Sequence, residues 1–124
     1  MSGKTQYTDI TPFTTQDSSQ IRELMHPQQH CQQHGITKQS LAEARVAPAN
    51  STLLHLHRSS EELYHITNGE GLMTLGDEQF MVMRGDTVCI PPGTAHCITN
   101  TGDKDLVILC CCTPAYSDSD TQLL

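Results

Sequence analysis

The chain has 124 residues, enough for one domain with its own core and too few for two. It carries 14 acidic against 7 basic side chains, a formal charge of -7, and it has no tryptophan and no basic run. That balance argues against nucleic acid and anionic membranes as partners, and against a stacking platform for single strands.

Residues 1–6 are polar, with none of the apolar character of a secretory signal. The longest apolar run, 106–112, is too short to cross a bilayer, so the expectation is a cytoplasmic protein. Residues 1–39 read as an N-terminal extension, rich in Gln, Ser and Thr and weakly periodic. Within it, 27–34 can make two helical turns, with Pro27 at the first helical position and Gly35 as the stop. His26, His30 and His34 would share a face there, offering an accessory metal or substrate contact or, more simply, a polar cover for one barrel mouth.

From residue 40 to 112 the pattern changes to short strands between turns. Strands are expected at 40–46, 52–57, 62–67, 71–75, 79–83, 86–90, 95–99 and 106–112. Gly76-Asp77 marks a hairpin, Pro91-Pro92-Gly93 a hard stop, and the turn residues at 100–104 a second hairpin joining the last two strands. Strands this short at this spacing imply an antiparallel sandwich or barrel rather than a βαβ fold. Residues 113–124 form an acidic, Ser-rich C-terminal tail, expected to wrap the surface unless Tyr116 and the terminal leucines dock on a partner subunit. The six cysteines, three of them adjacent at 110–112, read as reduced thiols acting as small hydrophobes.

Two stretches carry the chemistry. His55 and His57 are two apart on a strand and point the same way. Glu61 and Glu62 follow, and Glu62 is preferred because it shares a face with Tyr64 and Ile66. His96 comes directly after a Pro-Gly turn that can swing the backbone inward. Three imidazoles and one carboxylate make a site for a divalent transition metal.

The full spacing is more specific. His-x-His, four residues, Glu, six residues, Gly is met at His55, His57, Glu62 and Gly69. Gly, five residues, Pro, one, Gly, two, His, three, Asn is met at Gly85, Pro91, Gly93, His96 and Asn100. These residues resemble the paired motifs of the cupin superfamily, and in particular its small single-domain, mannose-6-phosphate-isomerase-like members. The resemblance implies an all-β fold, a double-stranded β-helix or jelly-roll barrel, commonly a homodimer, with His55, His57, Glu62 and His96 holding one metal per chain. Mn or Fe is favoured by analogy, with Ni and Co also able to keep open positions. Four-coordinate Zn would be saturated by this ligand set.

The function expected is a metal-dependent enzyme acting on a small oxygenated substrate, a carboxylate, keto or hydroxy acid, by dioxygenase or decarboxylase/lyase chemistry. Tyr64, as a pocket-lining proton donor, and Arg45, as a carboxylate clamp, are the further catalytic candidates. The competing readings are a non-catalytic cupin that binds a small ligand or metal, and a sugar isomerase or epimerase.

Overall fold

The structure, a computed structural model, describes residues 3–124, apart from the side chains of residues 32 and 33. Eleven strands and one helix follow in chain order: β1 (Phe13–Thr14), β2 (Gln20–Met25), α1 (Pro27–His34), β3 (Ser40–Val46), β4 (His55–His57), β5 (Glu61–Asn68), β6 (Glu70–Leu75), β7 (Glu78–Met83), β8 (Thr87–Ile90), β9 (His96–Asn100), β10 (Leu106–Thr113) and β11 (Thr121–Leu123). They form two antiparallel sheets, one in the order β1-β2-β3-β10-β5-β8 and the other in the order β11-β4-β9-β6-β7. This is the jelly-roll sandwich expected from the strand spacing.

Alternation builds the interior. Along β5, Glu62, Tyr64 and Ile66 turn inward while Glu61, Leu63 and His65 turn outward. In β10, Ile108, Cys110 and Cys112 face inward, opposite Ile66, Tyr64 and Glu62. Ile66, Met73, Ile90, Ile98, Leu106 and Ile108 are each at most 1% exposed and form the centre of the core. All six cysteines are free thiols. Burial pushes the Cys110 and Cys112 thiols up, with the Glu62 charge adding to it, so both remain protonated fillers of the core.

One expectation changes. Residues 100–104 do not close a hairpin: β9 pairs with β4 and β6 in one sheet, whereas β10 pairs with β3 and β5 in the other. The turn instead carries the chain across the sandwich, and Asn100 holds it by donating from Nδ2 to Val46 O at 2.9 Å and Lys104 O at 2.7 Å. The N-terminal extension is continuous with the barrel, because β2 pairs with β3 along most of its length. The tail does wrap the molecule, but as a strand, with Thr121 opposite His57.

The helix occupies the predicted residues, with Pro27 in its first turn and Gly35 left-handed at its end. His26 and His30 serve the backbone. His26 Nδ1 accepts from Gln28 N at 3.1 Å, His30 Nδ1 accepts from His26 N at 3.0 Å, and His26 Nε2 donates to Tyr116 O at 2.7 Å. His26 is therefore a helix cap tied to the C-terminal segment, and none of His26, His30 and His34 lines the cavity described below.

Gly69 turns β5 into β6 with φ +82°, and a Cβ there would stand 2.7 Å from Asp105 O. Gly69→Ala is expected to lower unfolding stability by about 2 kcal/mol or more, through left-handed strain together with a backbone clash. Chemical denaturation checks this, against Gly35→Ala, which is strained but meets nothing within 4 Å.

Candidate metal centre

The sequence positions of the four candidate ligands become one cluster through strand pairing. His55 lies opposite His96 in the β4–β9 pair, and His57 follows two residues on. Glu62 faces them from the other sheet. Three imidazoles from one layer thus meet a carboxylate from the other at one end of the sandwich. The three ring nitrogens lie within 4.8 Å of one another. Glu62 Oε1 stands 3.2 Å from His57 Nε2 and 3.5 Å from His96 Nε2. All four residues are buried.

β4 is shorter than the sequence suggests, and the reason also fixes the site. Residues 52 and 53 bond to two different neighbours, Thr52 N donating to Ile98 O at 2.9 Å and Leu53 N to Asp17 O at 2.7 Å. Regular pairing therefore begins only at His55. The turn into β5 is held by the C-terminal segment. Ser59 N and Ser60 N donate to the two carboxylate oxygens of Asp120, at 2.8 and 3.1 Å, and Ser60 Oγ donates to Pro114 O at 2.7 Å. Desolvation opposes ionisation of Asp120, but these serine bonds outweigh it and hold its carboxyl below the usual range.

Each imidazole is oriented through its outer nitrogen. His55 Nδ1 donates to Leu53 O at 2.7 Å, and His96 Nδ1 to Thr94 O at 2.9 Å. His57 Nδ1 donates to Thr121 Oγ1 at 2.9 Å, while that hydroxyl donates onward to Ser117 O at 2.9 Å. With Nδ1 protonated, every neutral ring turns its Nε2 lone pair inward, the tautomer a metal ligand requires.

Electrostatics point the same way. Burial opposes ionisation of Glu62, yet hydrogen bonding and charge from His57 and His96 hold its carboxyl at about 2. Those contacts are hydrogen bonds only when Nε2 carries a proton. With the rings neutral, Glu62 Oε1 and His96 Nε2 are buried without a hydrogen-bond partner. Burial also lowers the His55 pKa, and His96 adds to the effect, which disfavours a proton as the neutralising cation there. Orphaned inward lone pairs beside an anionic oxygen fit a divalent metal ion, with His55, His57, His96 and Glu62 as the residues that would hold it.

The cluster opens onto a cavity of about 50 Å³. Its walls include Phe13, Ile21, Ala42, Ala44, Ile98 and Ile108, with Tyr64 and Asp17 among the polar contributors. Tyr64 is 5% exposed and its ring centroid is 5.9 Å from that of His96. Burial, reinforced by the Glu62 charge, pushes its hydroxyl pKa well up, so it stays protonated.

Arg45 is placed elsewhere. The alternation of β3 sends Ala42 and Ala44 to the cavity and Glu43 and Arg45 to the opposite face. There Arg45 pairs with Glu43 and Asp105, each at 3.5 Å, and donates to the Tyr7 hydroxyl at 3.5 Å. It does not line the cavity, so the carboxylate clamp proposed from sequence is not built on this side chain.

Several site residues carried no sequence signal. Asp17 reaches the cluster from the N-terminal segment, with Oδ2 at 3.4 Å from His55 Nε2. Cys112 donates from Sγ to Glu62 Oε2 at 3.3 Å. Thr121 belongs to a tail whose composition suggested only a surface wrap.

A Cupin domain family model matches residues 42–112, and the chain belongs to the cupin family. It is 53% identical over 121 residues to the uncharacterized protein MJ1618 of Methanocaldococcus jannaschii, covering 98% of this chain and 94% of that one. Among solved structures it resembles Lactobacillus farciminis oxalate decarboxylase in a formate complex, with TM-score 0.76 and 22% identity over 94% of this chain. This chain spans 34% of that protein, about a third of its length. It also resembles Pac13, a Streptomyces nucleoside dehydratase, with TM-score 0.77 and 13% identity, covering 98% of this chain and 89% of that one. At these identities the likeness concerns the fold, and the two enzymes' differing chemistries show that the fold does not select a reaction. Among the described residues, no helix is long and apolar enough to cross a membrane.

Thr121→Val removes the acceptor that orients His57 while keeping the side chain's shape. Metal affinity is expected to fall about tenfold or more with the fold retained. Competition of the purified variant against a chelating dye, with circular dichroism as the control for folding, measures this.

Proposed function

We propose that this chain is a metal-dependent enzyme acting on a small oxygenated anion, a carboxylate, keto or hydroxy acid, by decarboxylase/lyase or dioxygenase chemistry. The observation that carries the reading is the clustering of three buried imidazoles with Glu62, of which His55, His57 and Glu62 line a small cavity with no Lys or Arg among its lining residues. An anion entering that cavity has a bound cation as its counter-charge. About 50 Å³ corresponds to roughly three or four water molecules, which suits an acid of a few carbons.

When bound, a divalent ion supplies Lewis acidity, withdrawing charge from substrate oxygens as an enolate or carbanion develops. The protein's own residues do the rest. His55, His57, His96 and Glu62 would hold the ion. The apolar walls exclude water, which strengthens every charge interaction inside. Tyr64, kept protonated, offers a hydrogen-bond donor to a substrate oxygen. Mn or Fe is the proposed metal, since both keep open coordination positions beside three imidazoles and a carboxylate. A cytoplasmic location is proposed with it, in keeping with six free thiols.

Elemental analysis of the freshly purified protein tests the site. Near one Mn, Fe, Co or Ni per chain is expected, lost in His96→Ala and Glu62→Ala together with turnover of a panel of small acids. Stoichiometric metal without turnover would favour a ligand-binding cupin. Turnover of a sugar substrate that survives chelation would favour the metal-free isomerase reading and overturn this one.

A homodimer is proposed as well. Leu41, Leu63 and Cys89 are exposed on the outer face of the larger sheet, on strands whose other face lines the core. A second copy would cover that apolar face. Light scattering on Leu63→Asp should report a monomer where the wild type is a dimer; a monomeric wild type removes the idea.

A further inference from the structure

The segment between β1 and β2 is built around one carboxylate. Thr15 N donates to Ser19 O at 3.0 Å and Ser18 N to Thr15 O at 3.1 Å, closing a tight loop. Inside it, Asp17 Oδ1 accepts from Ser19 N at 3.0 Å, from Ser19 Oγ at 2.7 Å and from Thr15 Oγ1. Ser19 is 3% exposed, so this is an interior arrangement and not a surface turn. The loop is fastened to the barrel where Asp17 O accepts from Leu53 N at 2.7 Å. The carbonyl of the same Leu53 accepts from His55 Nδ1 at 2.7 Å. One residue therefore fixes both the Asp17 backbone and the His55 ring.

Oδ2 is left for the cavity. It stands 3.4 Å from His55 Nε2, in the same range as the 3.2 and 3.5 Å that separate Glu62 Oε1 from His57 and His96. Because His55 Nδ1 already donates to Leu53, the neutral ring presents a lone pair to Oδ2. A lone pair facing a carboxylate oxygen is repulsive unless a cation lies beside both. A carboxylate with one oxygen saturated by local donors and the other aimed at an imidazole cluster has the form of a hydrogen-bonded metal ligand.

We infer that Asp17 is a further metal ligand, delivered by the N-terminal segment to the face of the cluster beside His55. This rests on the metal-site reading above. Three neutral imidazoles and two carboxylates balance the charge of a divalent ion, and a six-coordinate ion would then keep one open position instead of two. Asp17 would then hold one of the two positions that a substrate binding through two oxygens would need, and would be the ligand to give way to it.

The test is titration of the metal-free, full-length protein with Co(II), read by absorption, for wild type, Asp17→Asn and His96→Ala. Asparagine keeps the size of the side chain and an oxygen for the Ser19 donors. The expected result is one Co(II) per wild-type chain, an affinity about tenfold or more weaker in Asp17→Asn with shifted visible bands, and an unchanged thermal midpoint for the metal-free variant. Wild-type affinity and bands in Asp17→Asn, with binding still lost in His96→Ala, would overturn the Asp17 assignment and leave the four-ligand site standing. Weaker binding with unshifted bands and a lower metal-free midpoint would assign Asp17 to loop structure alone, also against it. A wild type that takes up no Co(II) would overturn both readings.

Discussion

Three imidazole lone pairs and a carboxylate oxygen face one another inside a largely apolar sandwich, and that concentration of negative potential raises the energy of the folded chain unless a cation lies among them. The rest of the molecule is arranged around this constraint. The rings cannot relieve it by rotating, because each outer nitrogen is already bonded to Leu53 O, Thr94 O or Thr121 Oγ1. Glu62 cannot relieve it by moving, since β5 is clamped between β10 and β8. Strain of this kind is tolerated where it prepares a binding site, and the core around Ile66 and Ile108 supplies the stability to hold it.

The segments flanking the barrel strands are part of the same device. The C-terminal one aligns His57 through Thr121 and pins the β4–β5 turn through Asp120. The N-terminal one adds β2 to the larger sheet, closes the cavity with Phe13 and Ile21, and brings Asp17 to His55. Both lie outside residues 42–112, the part matched by the family model.

The distinction explains what could be read in advance. His55, His57, Glu62 and His96 were legible because strand alternation and fixed spacing are local properties, and the preference for Glu62 over Glu61 follows from which face holds Tyr64 and Ile66. The glycine turns were legible for the same reason, Gly69, Gly85 and Gly93 all taking positive φ. The turn at 100–104 misled because its residues suit a hairpin, and only the pairing of β9 with β4 and β6 shows that it crosses between sheets. Arg45 was ambiguous because one strand in isolation does not say which face is inner. Asp17 and Thr121 had no signal at all: each acts across a long sequence separation, through contacts that exist only once the sheets have closed.

His96 is 0% exposed and His55 1%, and the connections that hold their rings run through Leu53, Thr94 and the segment around Asp17. An ion seated among them would leave only when that part of the barrel opens, so its exchange rate would follow a local unfolding event and not the intrinsic lability of the metal. Which ion the protein carries would then record the metal supply at the time and place of folding. Equilibrium preference among divalent ions, which runs toward copper and zinc, would be overridden by kinetic capture.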